Sequence, residues 1–175
     1  MKMTLIERFR SLSQEPFSSV RKMGVVGGQR VADLGSGQGY FTIPAALAVG
    51  RGGFVYSIEP DQRRSDRIRA RIATEGLDNV RVLTARVENL GDIPSGDVDL
   101  AFSVFSLHHF EDRNTALAEV RRILRDGGTF YVWDRTPRRI FKWGTQPEEL
   151  AQIAQGFARF ESLGTRNTIR ARFTK

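Results

Sequence analysis

The residues with the most chemical content fall in one run, Val31-Ala32-Asp33-Leu34-Gly35-Ser36-Gly37-Gln38-Gly39-Tyr40-Phe41-Thr42, which leaves an apolar stretch and turns on glycines. Glycine adopts backbone angles that other residues resist and lets a ligand approach the main chain closely. The spacing is Gly-x-Gly-x-Gly, tighter than the Gly-x-Gly-x-x-Gly loop that receives a dinucleotide's pyrophosphate. An acid, Asp33, stands two residues before the first glycine. A carboxylate there repels a pyrophosphate and favours a ligand with ammonium or sulfonium charge. Asp33 either attracts such a ligand or orients the loop amides; otherwise it is satisfied within its own turn, and the loop is a plain β–α turn. Glu59 ends the next apolar run at about the 20-residue distance where an acid accepts both hydroxyls of a ribose. Its alternative use is as a cap for the helix after Pro60, a task for which Asp61 is better placed.

Two further groups invite a chemical reading. His108 and His109 are the chain's two histidines, and an imidazole that titrates near neutrality can remove a proton from a substrate. Arg135, Arg138, Arg139 and Lys142 are interleaved with Trp133, Phe141 and Trp143. That mixture suits an anionic or planar partner, RNA bases and phosphates included, or else forms a solvated loop over a few core aromatics.

These residues must be held by a scaffold, and the chain alternates apolar strands with amphipathic helices from Gln29 onward, the pattern of βαβ units around a parallel sheet. Strands are expected at Arg30–Leu34, Gly53–Glu59, Val80–Thr84, Val98–Val104 and Thr129–Trp133. The fourth has the near-continuous apolar character of a strand buried on both faces. Helices are expected near Phe41–Val49, after Asp61, over Arg113–Leu124, where Gly127-Gly128 should act as the stop, and from Pro147. Before this core, Thr4 to about Arg10 and Pro16–Met23 read as short helices. After it, Phe157–Leu163 and Thr168–Phe173 follow each other without a helix between them, which implies an antiparallel hairpin. The expectation is one domain over 1–175, with an N-terminal helical segment at 1–28, a ligand-binding core at 29–134 and a C-terminal helix and hairpin at 135–175.

Composition narrows the class. With 175 residues and 40% apolar content the chain can bury a substantial core. Cysteine is absent, which excludes disulfides, thiolate metal sites and a cysteine nucleophile, and the two adjacent histidines do not make a zinc set. No metal is expected. No apolar run reaches the roughly 18 residues of a membrane span, and the start turns charged too early for a signal peptide. A cytoplasmic protein without a membrane span is expected. The net charge of +7 favours anionic partners without naming one, and a well-solvated surface accounts for it equally.

Taken together, Asp33-Leu34-Gly35-Ser36-Gly37-Gln38-Gly39, Glu59, Val98-Asp99 through Ser103-Val104-Phe105-Ser106-Leu107-His108-His109-Phe110, and Ala116 through Gly128 resemble the class I S-adenosylmethionine-dependent methyltransferases. The likeness is to the small-molecule branch that includes ubiquinone and menaquinone biosynthesis enzymes. It runs from about Gln29 to Trp133, and more weakly to the end. It implies a Rossmann-like three-layer α/β/α fold, with a mostly parallel seven-stranded sheet of order 3-2-1-4-5-7-6 and the last strand antiparallel. It also implies S-adenosyl-L-methionine as cofactor, lying across the ends of strands one, two and four. By the same resemblance Asp33, Gly35, Gly37 and Gly39, with Ser36 and Tyr40 beside them, face the methionine portion. Glu59 and Pro60 face the ribose, Ser103 meets the methionine end through its backbone, and Val87 meets adenine. The family often carries an acid after strand three where this chain has Arg86. Either Glu88 takes over that role, or backbone atoms suffice, and Arg86 either stacks on the ring or lies on the surface.

In the family the stretch around His108 and His109 is largely structural, so the sequence names no catalytic residue and leaves these two as candidates. Arg135, Arg138 and Arg139 are the candidates for contacting the methyl acceptor. The leading expectation is methyl transfer to a small molecule. The alternatives are an RNA or protein acceptor, suggested by the basic balance, a non-catalytic cofactor-binding subunit, and a nicotinamide oxidoreductase, which the loop spacing disfavours. Neither the acceptor nor an oligomeric state follows from the residues.

Overall fold

The computed structural model describes residues 16–137, 144–164 and 168–175. The expected helix at Thr4–Arg10, the arginines Arg138 and Arg139, and Phe141, Lys142 and Trp143 lie outside the described residues.

Helix α1 spans Pro16–Met23, strand β1 Arg30–Leu34, α2 Thr42–Val49, β2 Phe54–Ile58, α3 Gln62–Thr74 and β3 Val80–Leu83. Then come β4 at Val98–Val104, a short 3₁₀ turn at Leu107–His109, α4 at Arg113–Ile123, β5 at Leu124–Arg135, α5 at Pro147–Ala154, β6 at Arg159–Ser162 and β7 at Thr168–Thr174. The strands form one seven-stranded sheet in the order β3-β2-β1-β4-β5-β7-β6. The pairs from β3 to β5 are parallel, whereas β7 runs antiparallel to both β5 and β6. Both the order and the reversed strand are as the resemblance implied.

Side-chain alternation splits the core into two layers. Ala32 and Leu34 of β1 face a cluster with Val120 and Ile123 of α4 and Leu150 and Ile153 of α5. Val31 faces the opposite cluster, with Met23 of α1 and Phe41, Ala45 and Val49 around α2. Asp33 shares the parity of Val31, so its carboxyl emerges on the α2 face at the strand's end. β4 is buried along almost its whole length, as a central parallel strand covered on both faces must be. None of the described helices is long and apolar enough to cross a membrane.

The sequence reading of Gly127-Gly128 as a helix stop needs correction. Helix α4 ends at Ile123, and Leu124 already pairs with Val98 in β5. The register shifts between that pair and Leu100↔Thr129, so the glycines form an irregularity inside the strand. A Cβ at position 128 would lie 2.8 Å from the Arg125 carbonyl oxygen and 3.1 Å from that of Val98. The bulge needs a glycine because two backbones close on it.

Candidate active site

The carboxyl ends of β1, β2, β4 and β5 open onto a cavity of about 820 Å³. The glycine loop forms its floor and is fastened from below, since the N–H groups of Gly35 and Ser36 both donate to the Ile58 carbonyl at 2.9 Å. Gly35 has φ +73°, and a Cβ there would sit 2.5 Å from Ser106 Cβ. Only glycine lets β1 turn while Ser106, whose hydroxyl donates to the Leu34 carbonyl at 2.6 Å, presses against it. Gly37, at φ +61°, lines the cavity, and a Cβ there would meet nothing within 4 Å. Its missing side chain leaves main chain exposed to a ligand.

Three acids end three strands. Asp33 is 3% exposed and accepts a hydrogen bond from the Thr42 hydroxyl at 2.7 Å. That bond continues to Ser57 and Ser36 at 3.2 and 2.8 Å. Burial pushes the Asp33 carboxyl up to about 7; the Thr42 bond opposes the shift and the Glu59 charge adds to it. Glu59 is equally buried, with one oxygen accepting from the Gly37 N–H at 2.9 Å and the other from the Asp61 N–H at 3.1 Å. The acid at the expected ribose position therefore also ties down the glycine loop. Asp61 takes the capping role, accepting from the Arg64 N–H at 2.9 Å. Arg64 brings a guanidinium nitrogen to 3.7 Å from Glu59.

The third acid, Asp134, was not singled out from the sequence. It is fully buried, and its two oxygens lie 2.9 and 3.0 Å from Nδ1 of His108. It also accepts from the backbone N–H of His108 and of Arg135 and from the Thr145 hydroxyl. Burial alone would raise this carboxyl, but the donors around it, His108 first, hold it below the ordinary aspartate value. His109 is held below the ordinary histidine value by burial and then by its neighbour His108.

On the far wall Arg86, Val87 and Glu88 line the cavity. Arg86 pairs with Glu111 at 2.5 Å, and Glu88 accepts from the N–H groups of Glu111 and Asp112 at 2.8 and 3.2 Å. Both residues thus join the loop after β3 to the start of α4.

The structure gathers Asp33, Gly35, Ser36, Gly37, Tyr40, Glu59, Pro60, Arg86, Val87, Glu88, His108, His109 and Arg135 around this one cavity. Gly39 and Ser103 are not among its lining residues. A Cβ on Gly39 would press on Ile68 of α3 at 3.2 Å, so this glycine lets the loop pack on a helix. Ser103 is fully buried in β4, with its hydroxyl 2.6 Å from that of Ser106. Arg64, Phe41, Phe105 and Phe110 also line the cavity, although the sequence reading gave them no role there. Asp134 carried the same signal as Asp33, an acid closing an apolar strand.

A Rossmann-like sheet with a glycine loop and two acids at its switch point defines a nucleoside-binding α/β domain. Comparison with known proteins makes this specific. Residues 32–132 match the family model described as Methyltransferase domain, and the chain belongs to that family. Among curated relatives, aklanonic acid methyltransferase DauC of Streptomyces sp. (strain C5) is 33% identical over 122 residues, covering 70% of this chain and 53% of that protein. The ubiquinone/menaquinone biosynthesis C-methyltransferase UbiE of Pectobacterium atrosepticum is 32% identical over 110 residues, covering 62% of this chain and 43% of UbiE. The chain spans about half the length of these relatives. A SAM-dependent methyltransferase from Aquifex aeolicus has the same fold, with a TM-score of 0.77 at 22% identity, covering 94% of this chain and 92% of that one. Family membership gives S-adenosyl-L-methionine as the cofactor.

Proposed function

We propose that this protein transfers a methyl group from S-adenosyl-L-methionine to a small-molecule acceptor, with the cofactor held in the cavity at the ends of β1, β2 and β4. The observation that carries this reading is the pairing of Gly37, whose absent side chain opens main chain to the cavity, with two buried carboxylates on either side of it. Asp33 would hold the cationic amino-acid end. Glu59 would accept from the ribose hydroxyls with the lone pairs that its two backbone donors leave over. Val87, flanked by Arg86 and Glu88, would border the adenine. When bound, the cofactor supplies an electrophilic methyl on a sulfonium; what the chain adds is alignment.

A cavity of about 820 Å³ falls in the range of small-ligand sites, roughly 300–1,000 Å³. Its aromatic wall of Phe41, Phe105 and Phe110 suits a compact acceptor. DauC and UbiE carry names of small-molecule methyltransferases, which supports the same class here. Calorimetry with S-adenosylhomocysteine and with NAD tests the cofactor assignment: the first should bind at micromolar or tighter affinity and the second should not. Binding of NAD with no binding of the adenosyl ligand would overturn it.

A further inference from the structure

The sheet ends on an open edge that the cofactor site does not use. β6 is its last strand, paired on one side with β7, and its residues Arg159-Phe160-Glu161-Ser162 are all exposed. Among the described residues no strand pairs with its outer side. The Leu163 N–H donates to the Arg170 carbonyl at 2.7 Å, and in an antiparallel pair such bonds recur at every second residue. The register carries this parity back through Glu161↔Arg172 and Arg159↔Thr174. Phe160 and Ser162 therefore turn their N–H and C=O groups outward, away from β7. An exposed row of this kind is a template for a further strand.

The side chains show which strand fits. Phe160 stacks on Phe173 with ring centroids 5.1 Å apart, and Phe173 on Phe130 at 5.9 Å. A row of rings thus crosses from β5 through β7 to the edge, where it stops on a ring that is 40% exposed. Arg159 and Glu161 alternate with Phe160 and so lie on the opposite face, Glu161 at 3.9 Å from Arg172.

We propose that two copies of this chain associate through this edge, β6 against β6, antiparallel about a two-fold axis at Phe160. In that register each Phe160 N–H donates to the carbonyl of the partner's Phe160. Arg159 stands opposite the partner's Glu161, and Glu161 opposite the partner's Arg159. These two pairs fall at the positions without hydrogen bonds, where facing side chains come closest and opposite charges attract while like charges repel. Moving the axis to Glu161 would bring two carboxylates face to face, and a parallel pairing in register would set arginine against arginine. The strand is therefore complementary to itself in one arrangement, and that arrangement also continues the row of rings from one copy into the next. The cavity opens at the carboxyl ends of β1, β2, β4 and β5, and β7 separates these from β6, so association leaves it accessible.

The contact is only a few residues wide, which places it among small, reversible interfaces, so sedimentation velocity over a concentration series is the measurement. The wild type should shift with concentration from a species of 19.7 kDa to one of twice that mass. Arg159→Glu and Glu161→Arg should each weaken association roughly tenfold or more, because both cross-strand pairs become repulsive. The double variant carrying both changes should associate as the wild type does, and an equimolar mixture of the two single variants should form mixed pairs. Circular dichroism melting of every variant shows that it is folded. A wild type that remains a single chain up to roughly 1 mM, where even weak pairs form, would overturn the proposal. Association that both single variants leave unchanged would overturn the β6 interface, and failure of both the double variant and the mixture to restore it would overturn the register.

Discussion

Lowering the pH from about 8 to about 6 should weaken S-adenosylhomocysteine binding roughly tenfold, and Asp33 is the reason. Burial sets its carboxyl at about 7 in the free protein. It is then ionised in about ten molecules of eleven at the upper pH and about one of eleven at the lower, and a tenfold change in that population is about 1.4 kcal/mol. A cationic amino-acid end binds the ionised form and holds it there, so its arrival near pH 6 must expel close to one proton. Titrations in two buffers of different ionisation enthalpy read that proton directly. Asp33→Asn should bind weakly at every pH and release none. Affinity that stays flat between these pH values, or proton uptake on binding, would refute the placement of the ligand's positive charge at Asp33.

The same group affects folding. Its native value of about 7 lies above the ordinary 3.8, so the unfolded chain holds the proton less tightly. Asp33 therefore lowers stability as pH rises from about 4 to 7, and most fully above that; Asp33→Asn should unfold at higher denaturant than wild type near pH 8, by ~2–4 kcal/mol, and lose that advantage near pH 4. Glu59→Ala removes the expected ribose acceptor and the anchor of the Gly37 N–H together, and should weaken S-adenosylhomocysteine binding by at least ~1.5–3 kcal/mol, read by calorimetry. Gly35→Ala meets Ser106 at 2.5 Å and should lower the melting temperature, whereas Gly37→Val should keep the fold at a strain of roughly 1–2 kcal/mol and abolish ligand binding.

The sheet could be read from the sequence because its signals are local. β4 matched its apolar run from Val98 to Val104 to the residue, and Asp61 declared the start of α3 through its cap. The glycine loop and its two acids were legible for the same reason, since each belongs to one strand end. What stayed hidden depends on contacts between distant segments. Asp134 meets His108 across 26 residues, and no spacing rule connects them. Gly39 looked equivalent to Gly35 and Gly37 in the motif, but Ile68 of α3 gives it a packing role. The contact between the Ser103 and Ser106 hydroxyls was likewise not announced by the strand pattern, and it does not involve the backbone of Ser103, the part expected to meet the methionine end. At Gly127-Gly128 the helix-stop signal was real in type but misplaced, because pairing of Leu124 with Val98 ends the helix first.

The central claim is methyl transfer to a small molecule from S-adenosyl-L-methionine bound at Asp33, Gly37 and Glu59. The most direct measurement incubates the protein with methyl-labelled cofactor and a cell extract divided into small-molecule, RNA and protein fractions, with Gly37→Val as control. Label should enter the small-molecule fraction with the wild type and not with the variant. Label confined to RNA or protein, or transfer that persists undiminished in Gly37→Val, would contradict the account.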